Sequence, residues 1–264
     1  MKIRMFMIAA LALLSAVSCK EKEVKKDIKV IAHRGYWDTD GAAQNAVSSL
    51  KKAMEIGAFG TEFDVYVTTD GIPVLFHDHH TSNGMILEDV TYADIVENAP
   101  KLEPTGETMP TLQEFLEAWD HSGVKLVLEI KSASTPEKET FFVEKILEVV
   151  NNYGVSLVEI EYIAFRAHVC NEVLRLAPGA VISYLNGDKT PAEAAQAGWH
   201  GIDYEHTVFT ANPAWVAEAQ ELGLLVNVWT VNKEEKMREM IALGVDYITT
   251  DKPLLLREVL DGTK

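Results

Sequence analysis

Four short stretches carry side chains able to do chemistry together. His33 and Arg34 follow the apolar run beginning at Ile28. Glu62 and Asp64 lie two apart in FGTEFDVYV (59–67), His77 closes PVLFH (73–77), and Glu129 and Lys131 lie two apart in LVLEIK (126–131). Residues two apart on an extended strand share a face, so each of these pairs points one way. Three carboxylates gathered in apolar surroundings repel one another unless a cation neutralises them. With no cysteine partner, the donor set of Glu62, Asp64 and Glu129 suits one hard divalent cation, Mg²⁺ or Ca²⁺. The competing arrangement is a salt-bridge network in which Arg34 and Lys131 alone balance the acids. His33 and His77 add acid–base capacity, because unperturbed histidine titrates near ~6.5.

The elements that must position these residues read as alternating strands and helices. Short β-branched runs fall at 28–33, 59–67, 126–130, 159–165, 180–185, 201–205, 224–229 and 246–250, separated by amphipathic stretches. That alternation predicts βα units and a parallel sheet. Eight such units in the roughly 238 residues after position 26 predict a single α/β domain of the (β/α)8 TIM-barrel type. The run 73–77 follows the second strand after a turn containing Asp70 and Gly71, too short for a parallel crossover, so it must double back as a hairpin. Apolar stripes such as Val47, Leu50 and Met54, or Phe142, Ile146 and Val149, predict outer-ring helices. Residues 78–123 carry Pro100, Pro104, Gly106 and Pro110 with one helical piece, 111–119, and read as a small insertion over the barrel mouth. Barrel sites form at the C-terminal strand ends, and the polar residues named above sit at three such ends.

Residues 1–19 run from Lys2 and Arg4 through an apolar stretch, Met5 to Val17, to Ser18 and Cys19. Its 13 residues, apolar except Ser15, fall short of the ~20 that span a bilayer, and the pattern reads as a signal peptide. Ala16 and Ser18 before Cys19 resemble a lipobox, with Ala16 where leucine is usual, which makes Cys19 the candidate lipidation site. Residues 20–27 read as a tether and 28–264 as the barrel domain. The expected location is therefore the bacterial cell envelope, lipid-anchored on the periplasmic face or the cell surface. Forty acidic against 24 basic residues, net charge −16, exclude a polyanion such as nucleic acid as partner. Cys170 is the only other cysteine, so neither a disulfide framework nor a thiolate zinc site is available.

The segments IAHRG (31–35), GTEFDVYVTTDGIPVLFHD (60–78), TSNG (81–84), PTLQEFL (110–116), LVLEIK (126–131), VNVWTVN (226–232) and GVDYITTDKP (244–253) occur in the order seen in glycerophosphodiester phosphodiesterases. The chain resembles that family along essentially its whole length after the tether. The resemblance implies metal ligands at Glu62, Asp64 and Glu129, a catalytic pair at His33 and His77, and substrate-phosphate contacts at Arg34 and Lys131. It also implies that Trp229, at a late strand end, walls the glycerol pocket; a place in a layer of barrel core is the alternative. The implied reaction is hydrolysis of a small glycerophosphodiester to glycerol phosphate and an alcohol, by attack of the substrate's own glycerol hydroxyl on phosphorus.

One departure stands out. Where the family has Pro-Glu-Asn-Thr, this chain has Ala43, Gln44, Asn45 and Ala46. Two alternatives therefore stay open: phospholipase C- or D-like action on intact lipid, and a lipid-anchored protein that binds phosphodiesters without turning them over.

Overall fold

The structure, a computed structural model, describes residues 27–264. The expected leader at 1–19, Cys19 and nearly all of the tether lie outside the described residues. Among the described residues nine strands form: β1 (Lys29–Ala32), β2 (Gly60–Val67), β3 (Pro73–Leu75), β4 (Lys125–Ile130), β5 (Ile160–Ala164), β6 (Ile182–Tyr184), β7 (Gly201–Glu205), β8 (Leu225–Trp229) and β9 (Tyr247–Thr250). All neighbours are parallel except β3, which returns antiparallel along β2 as the short turn requires. Pairing of β1 with both β2 and β9 closes eight parallel strands into a barrel.

Ten helices accompany them: α1 (Val47–Glu55), α2 (Tyr92–Asn98), α3 (Leu112–Trp119), α4 (Pro136–Tyr153), α5 (Ala167–Leu176), α6 (Pro191–Gln196), α7 (His206–Ala211), α8 (Ala214–Glu221), α9 (Glu234–Leu243) and α10 (Pro253–Asp261). Local chemistry starts several of them. Thr91, Thr111, Thr135 and Thr190 each accept a backbone N–H at a helix N-terminus, and Gly154 and Gly244 close α4 and α9 in left-handed conformation.

Three short helices, α2, α5 and α7, are not flagged by apolar periodicity. In α5 the buried residues are Val169, Cys170 and Val173, with Ala167, Leu174 and Leu176 packed partly buried against the same core. The insertion is also shorter than the sequence suggests. Helix α3 packs on α1, α4 and β3 as a member of the outer ring, so the excursion over the mouth ends near residue 110.

Strand alternation divides the apolar residues into two cores. Outward residues such as Phe63, Val65, Leu126, Leu128, Tyr162 and Val226 pack under the helices in one large cluster. Phe63 meets Phe115 of α3 with ring centroids 4.5 Å apart. Inside the barrel a smaller apolar cluster of Ile31, Val127, Ile163 and Leu185 is flanked by Phe59 and Tyr247 and, at the C-terminal strand ends, by Phe165 and Trp229. The polar residues share the C-terminal end of the interior with Phe165, Leu185 and Trp229.

Among the described residues, no helix is long and apolar enough to cross a membrane.

Candidate active site

Register assembles the carboxylates. Asp64 of β2 is the direct neighbour of Glu129 on β4, and both side chains turn inward with Glu62. One oxygen of each of the three lies within 4.8 Å of the others, and all three side chains are buried. Lys131, one residue past β4, is held by its own N–H on the Val65 carbonyl at 3.1 Å. Its Nζ stands 2.8 Å from Glu129 and 3.1 Å from Asp64. Arg34 Nε is 3.7 Å from Asp64.

The salt-bridge network foreseen from the sequence is thus real but incomplete, since Lys131 and Arg34 bring two positive charges to three acids. Glu62 receives a hydrogen bond from the Arg34 backbone N–H at 2.8 Å and no cationic side chain at hydrogen-bonding distance. Burial, with Asp64 and Glu129 adding their charges, pushes its carboxyl well above the usual range. Glu129 is raised to about 7 by burial and by Asp64, against the pull of Lys131. Asp64 is also buried, yet Lys131, His77, Arg34 and the Asn45 amide outweigh that and hold it near 2. A buried cluster with one charge too many and only oxygen donors fits a hard divalent cation.

The connection after β1 is built for this site. Arg34 and Asn45 both adopt left-handed backbone, which asparagine tolerates and arginine rarely does. Gly35 is also left-handed, and a Cβ there would fall 2.6 Å from the Ser49 Cβ, so only glycine lets α1 approach the strand end. The buried Asn45 amide clamps Asp64 twice, donating to its carboxylate at 2.8 Å and accepting from its backbone N–H at 3.0 Å. Gln44, at the departure from the family pattern, accepts from Arg34 Nη1 at 2.6 Å. Arg34 Nε is buried with no hydrogen-bond acceptor.

The two histidines flank the acids. His33 Nδ1 lies 2.7 Å from Asp251, which turns Nε2 toward Glu62 at 3.9 Å. Asp251 also accepts from Trp37 Nε1 at 3.0 Å and Asn232 Nδ2 at 2.5 Å. Burial would raise the Asp251 carboxyl, but these partners, His33 foremost, hold it below its ordinary range. His77 Nδ1 lies 2.6 Å from Asp78, and burial, with Lys131 and Arg34 nearby, lowers its pKa despite Asp64.

His33, Arg34, Glu62, His77 and Glu129 line a cavity of about 80 Å³ together with Phe165, Leu185, Asp203 and Trp229. A wider cleft of about 410 Å³ opens beside it, under the insertion, between Trp37, Phe76, Asp78, Lys101, Glu103 and Met109; Arg34 and His77 border both spaces. Trp229 borders the smaller cavity and also packs against the interior apolar cluster. His79 and His80 are exposed in the loop after β3.

Of the site residues named from the sequence, all but Cys19 converge here. Asp251, Asn232 and Asp203 were not singled out. Asp251 directly follows the last strand, so strand-end position was a usable signal for it, whereas Asp203 lies mid-strand in β7 and carries no such signal.

Residues 33–255 match the model of the glycerophosphoryl diester phosphodiesterase family. The chain belongs to that family. A glycerophosphodiester phosphodiesterase of Caldanaerobacter subterraneus is 31% identical over 246 residues, covering 85% of this chain and 94% of the relative. Among solved structures, a glycerophosphodiester phosphodiesterase of Parabacteroides distasonis superposes with a TM-score of 0.86 at 39% identity, covering 90% of this chain and 99% of that one. A putative glycerophosphoryl diester phosphodiesterase of Silicibacter pomeroyi gives a TM-score of 0.79 at 27% identity, covering 89% of this chain and 94% of its own. Family membership makes the chain a glycerophosphodiester phosphodiesterase by class.

Proposed function

We propose that this phosphodiesterase hydrolyses small glycerophosphodiesters to glycerol phosphate and a free alcohol, with His33 and His77 exchanging the protons. The observation that carries the reading is the convergence, around one cavity, of two histidines, three acids and a buried arginine donor without an acceptor. Arg34 Nε, 3.7 Å from Asp64 but without a hydrogen-bond acceptor, is suited to a phosphate oxygen. Glu62, Asp64 and Glu129 would hold a Mg²⁺ or Ca²⁺ ion, which supplies Lewis-acid polarisation and charge neutralisation when bound.

His33 is the base in this scheme. Asp251 fixes its ring so that Nε2 faces the cavity, where it takes the proton of the glycerol hydroxyl adjacent to the phosphorylated carbon. That oxygen bonds to phosphorus while the bond to the leaving alcohol breaks. His77, on the border of the wider cleft, gives its proton to the departing oxygen. Water then opens the cyclic phosphate with the two roles reversed, leaving glycerol phosphate and both histidines as they began. Lys131, between Asp64 and Glu129, keeps those carboxylates in place and adds positive charge near the phosphate. Holding hydroxyl and phosphorus in line within a closed wall that includes Trp229 supplies much of the acceleration.

The test is release of glycerol phosphate from a panel of choline, ethanolamine, glycerol and inositol phosphodiesters, with and without chelator. Wild type should turn over only with divalent cation, and His33→Ala or His77→Ala should lose roughly 10²- to 10⁴-fold in kcat. Turnover indifferent to chelator and to both substitutions would overturn the assignment.

Cys19 is proposed as the lipidated N-terminus of an exported, membrane-anchored protein, a reading supported by residues 1–19 alone. Detergent-phase partitioning of the expressed full chain, lost in Cys19→Ser, is the expected result; partitioning unchanged by the substitution would reject it.

A further inference from the structure

Asp203 is a buried acid that the scheme above does not use. It sits in the middle of β7, whose Ile202 and Tyr204 face outward into the main core, so alternation sends Asp203 into the barrel. There it is 1% exposed and lines the 80 Å³ cavity. Its Oδ2 accepts from Asn227 Nδ2 at 3.0 Å, and the same amide also donates to Thr249 Oγ1 at 3.0 Å. Its Oδ1 has no hydrogen-bond partner.

The surroundings offer no local remedy. Ile163, Phe165 and Leu185 are apolar, and the Trp229 indole N–H is taken by the Asp203 backbone carbonyl at 2.9 Å. Burial pushes the Asp203 carboxyl well above the ordinary range, although Asn227 draws it down. An unpaired polar oxygen in a buried wall is costly, and such groups persist where a ligand atom completes them. The reacting hydroxyl and the phosphate of a glycerophosphodiester are met by His33 and Arg34. The polar group of the substrate without a partner is the hydroxyl at the far end of the glycerol.

We propose that Asp203 is a positioning residue that hydrogen-bonds the terminal, non-reacting hydroxyl of the substrate glycerol and thereby selects phosphodiesters whose glycerol bears no acyl chain at that oxygen. This rests on the glycerophosphodiester reading of the site. Anchoring the far end fixes the rotation that brings the neighbouring hydroxyl in line with phosphorus. An ester at the same oxygen has no proton to share and brings a chain into a cavity of glycerol size.

Three substrates separate the possibilities: glycerophosphocholine, a 2-hydroxyethyl phosphocholine diester that keeps the reacting hydroxyl but lacks the terminal one, and lysophosphatidylcholine. Wild type should favour glycerophosphocholine over either of the others by roughly 30-fold or more in kcat/KM, since a site built to bond a hydroxyl rejects analogues lacking it. Asp203→Val should cost roughly 10- to 100-fold on glycerophosphocholine and under about threefold on the truncated diester. Asp203→Asn, which keeps an acceptor oxygen and a donor, should recover most of the loss. Equal losses on the two diesters in Asp203→Val would make the residue structural and overturn the inference. So would a wild-type preference under about threefold, a result that needs no variant to fold. Metal-dependent cleavage of glycerophosphocholine without the preference sinks this inference alone, whereas failure of wild type on every substrate sinks the parent reading with it.

Discussion

Glu129→Gln separates a metal centre from an ordinary buried salt bridge. In the metal-free protein the Glu129 carboxyl is displaced from its ordinary 4.5 to about 7, mainly by burial and by Asp64. Because the folded value lies above the unfolded one, the stability this group contributes is fully present below about pH 4.5 and is lost as pH rises through about 7. A displacement of that size corresponds to on the order of 3 kcal/mol once the group is ionised. This is an upper bound, since Glu129 and Asp64 share Lys131. Glutamine removes the ionisation, keeps the shape, and still offers an oxygen to Lys131. In chelator, the variant should therefore match wild type near pH 5 and exceed it near pH 8.5 by about 1 to 3 kcal/mol, or roughly 2 to 10 °C in Tm for a domain of this size. Adding Mg²⁺ or Ca²⁺ at pH 8.5 should reverse the order, because wild type gains binding energy that the variant has lost. Urea and thermal unfolding at the two pH values, with and without cation, make the measurement. A variant less stable than wild type at pH 8.5 in chelator would show that Lys131 already satisfies the cluster and would refute the reasoning.

Asp251→Asn should lower kcat roughly 10- to 1000-fold while leaving KM within about threefold, because Asp251 touches His33 rather than the substrate space directly; steady-state kinetics with kcat within twofold of wild type would remove Asp251 from the proposal. Gln44→Glu should leave kcat within about threefold, since the neutral amide already holds Arg34 at 2.6 Å, and should raise KM about two- to fivefold by placing a carboxylate beside the phosphate donor. A tenfold gain in kcat for that variant would instead mark glutamine as a damaged position and favour the binding-only alternative for the natural chain.

The sequence by itself determined everything that depends on local periodicity. Strand alternation placed Glu62 with Asp64, and Glu129 with Lys131, on single faces, and the brief turn at Asp70 and Gly71 forced the hairpin, because both follow from backbone geometry within a few residues. Eight strand-helix alternations specified the barrel, and the placement of His33, His77 and the three acids on or just after its strands pointed to one candidate site. Helices α2 and α7 escaped because they are only 7 and 6 residues long, α5 went unread although its apolar residues share one face, and α3 was grouped with the insertion because no local signal tells an outer-ring helix from a lid. Tertiary structure alone decided what crosses the barrel. The pairing of β1 with β9 brings Asp251 to His33, the side-by-side register of β2 and β4 sets Lys131 between two acids and leaves Glu62 short of a cation, and the closed wall leaves one Asp203 oxygen unpaired. Those facts depend on which residues stand opposite one another after closure, and closure is a property of the whole sheet that no stretch of the chain encodes on its own.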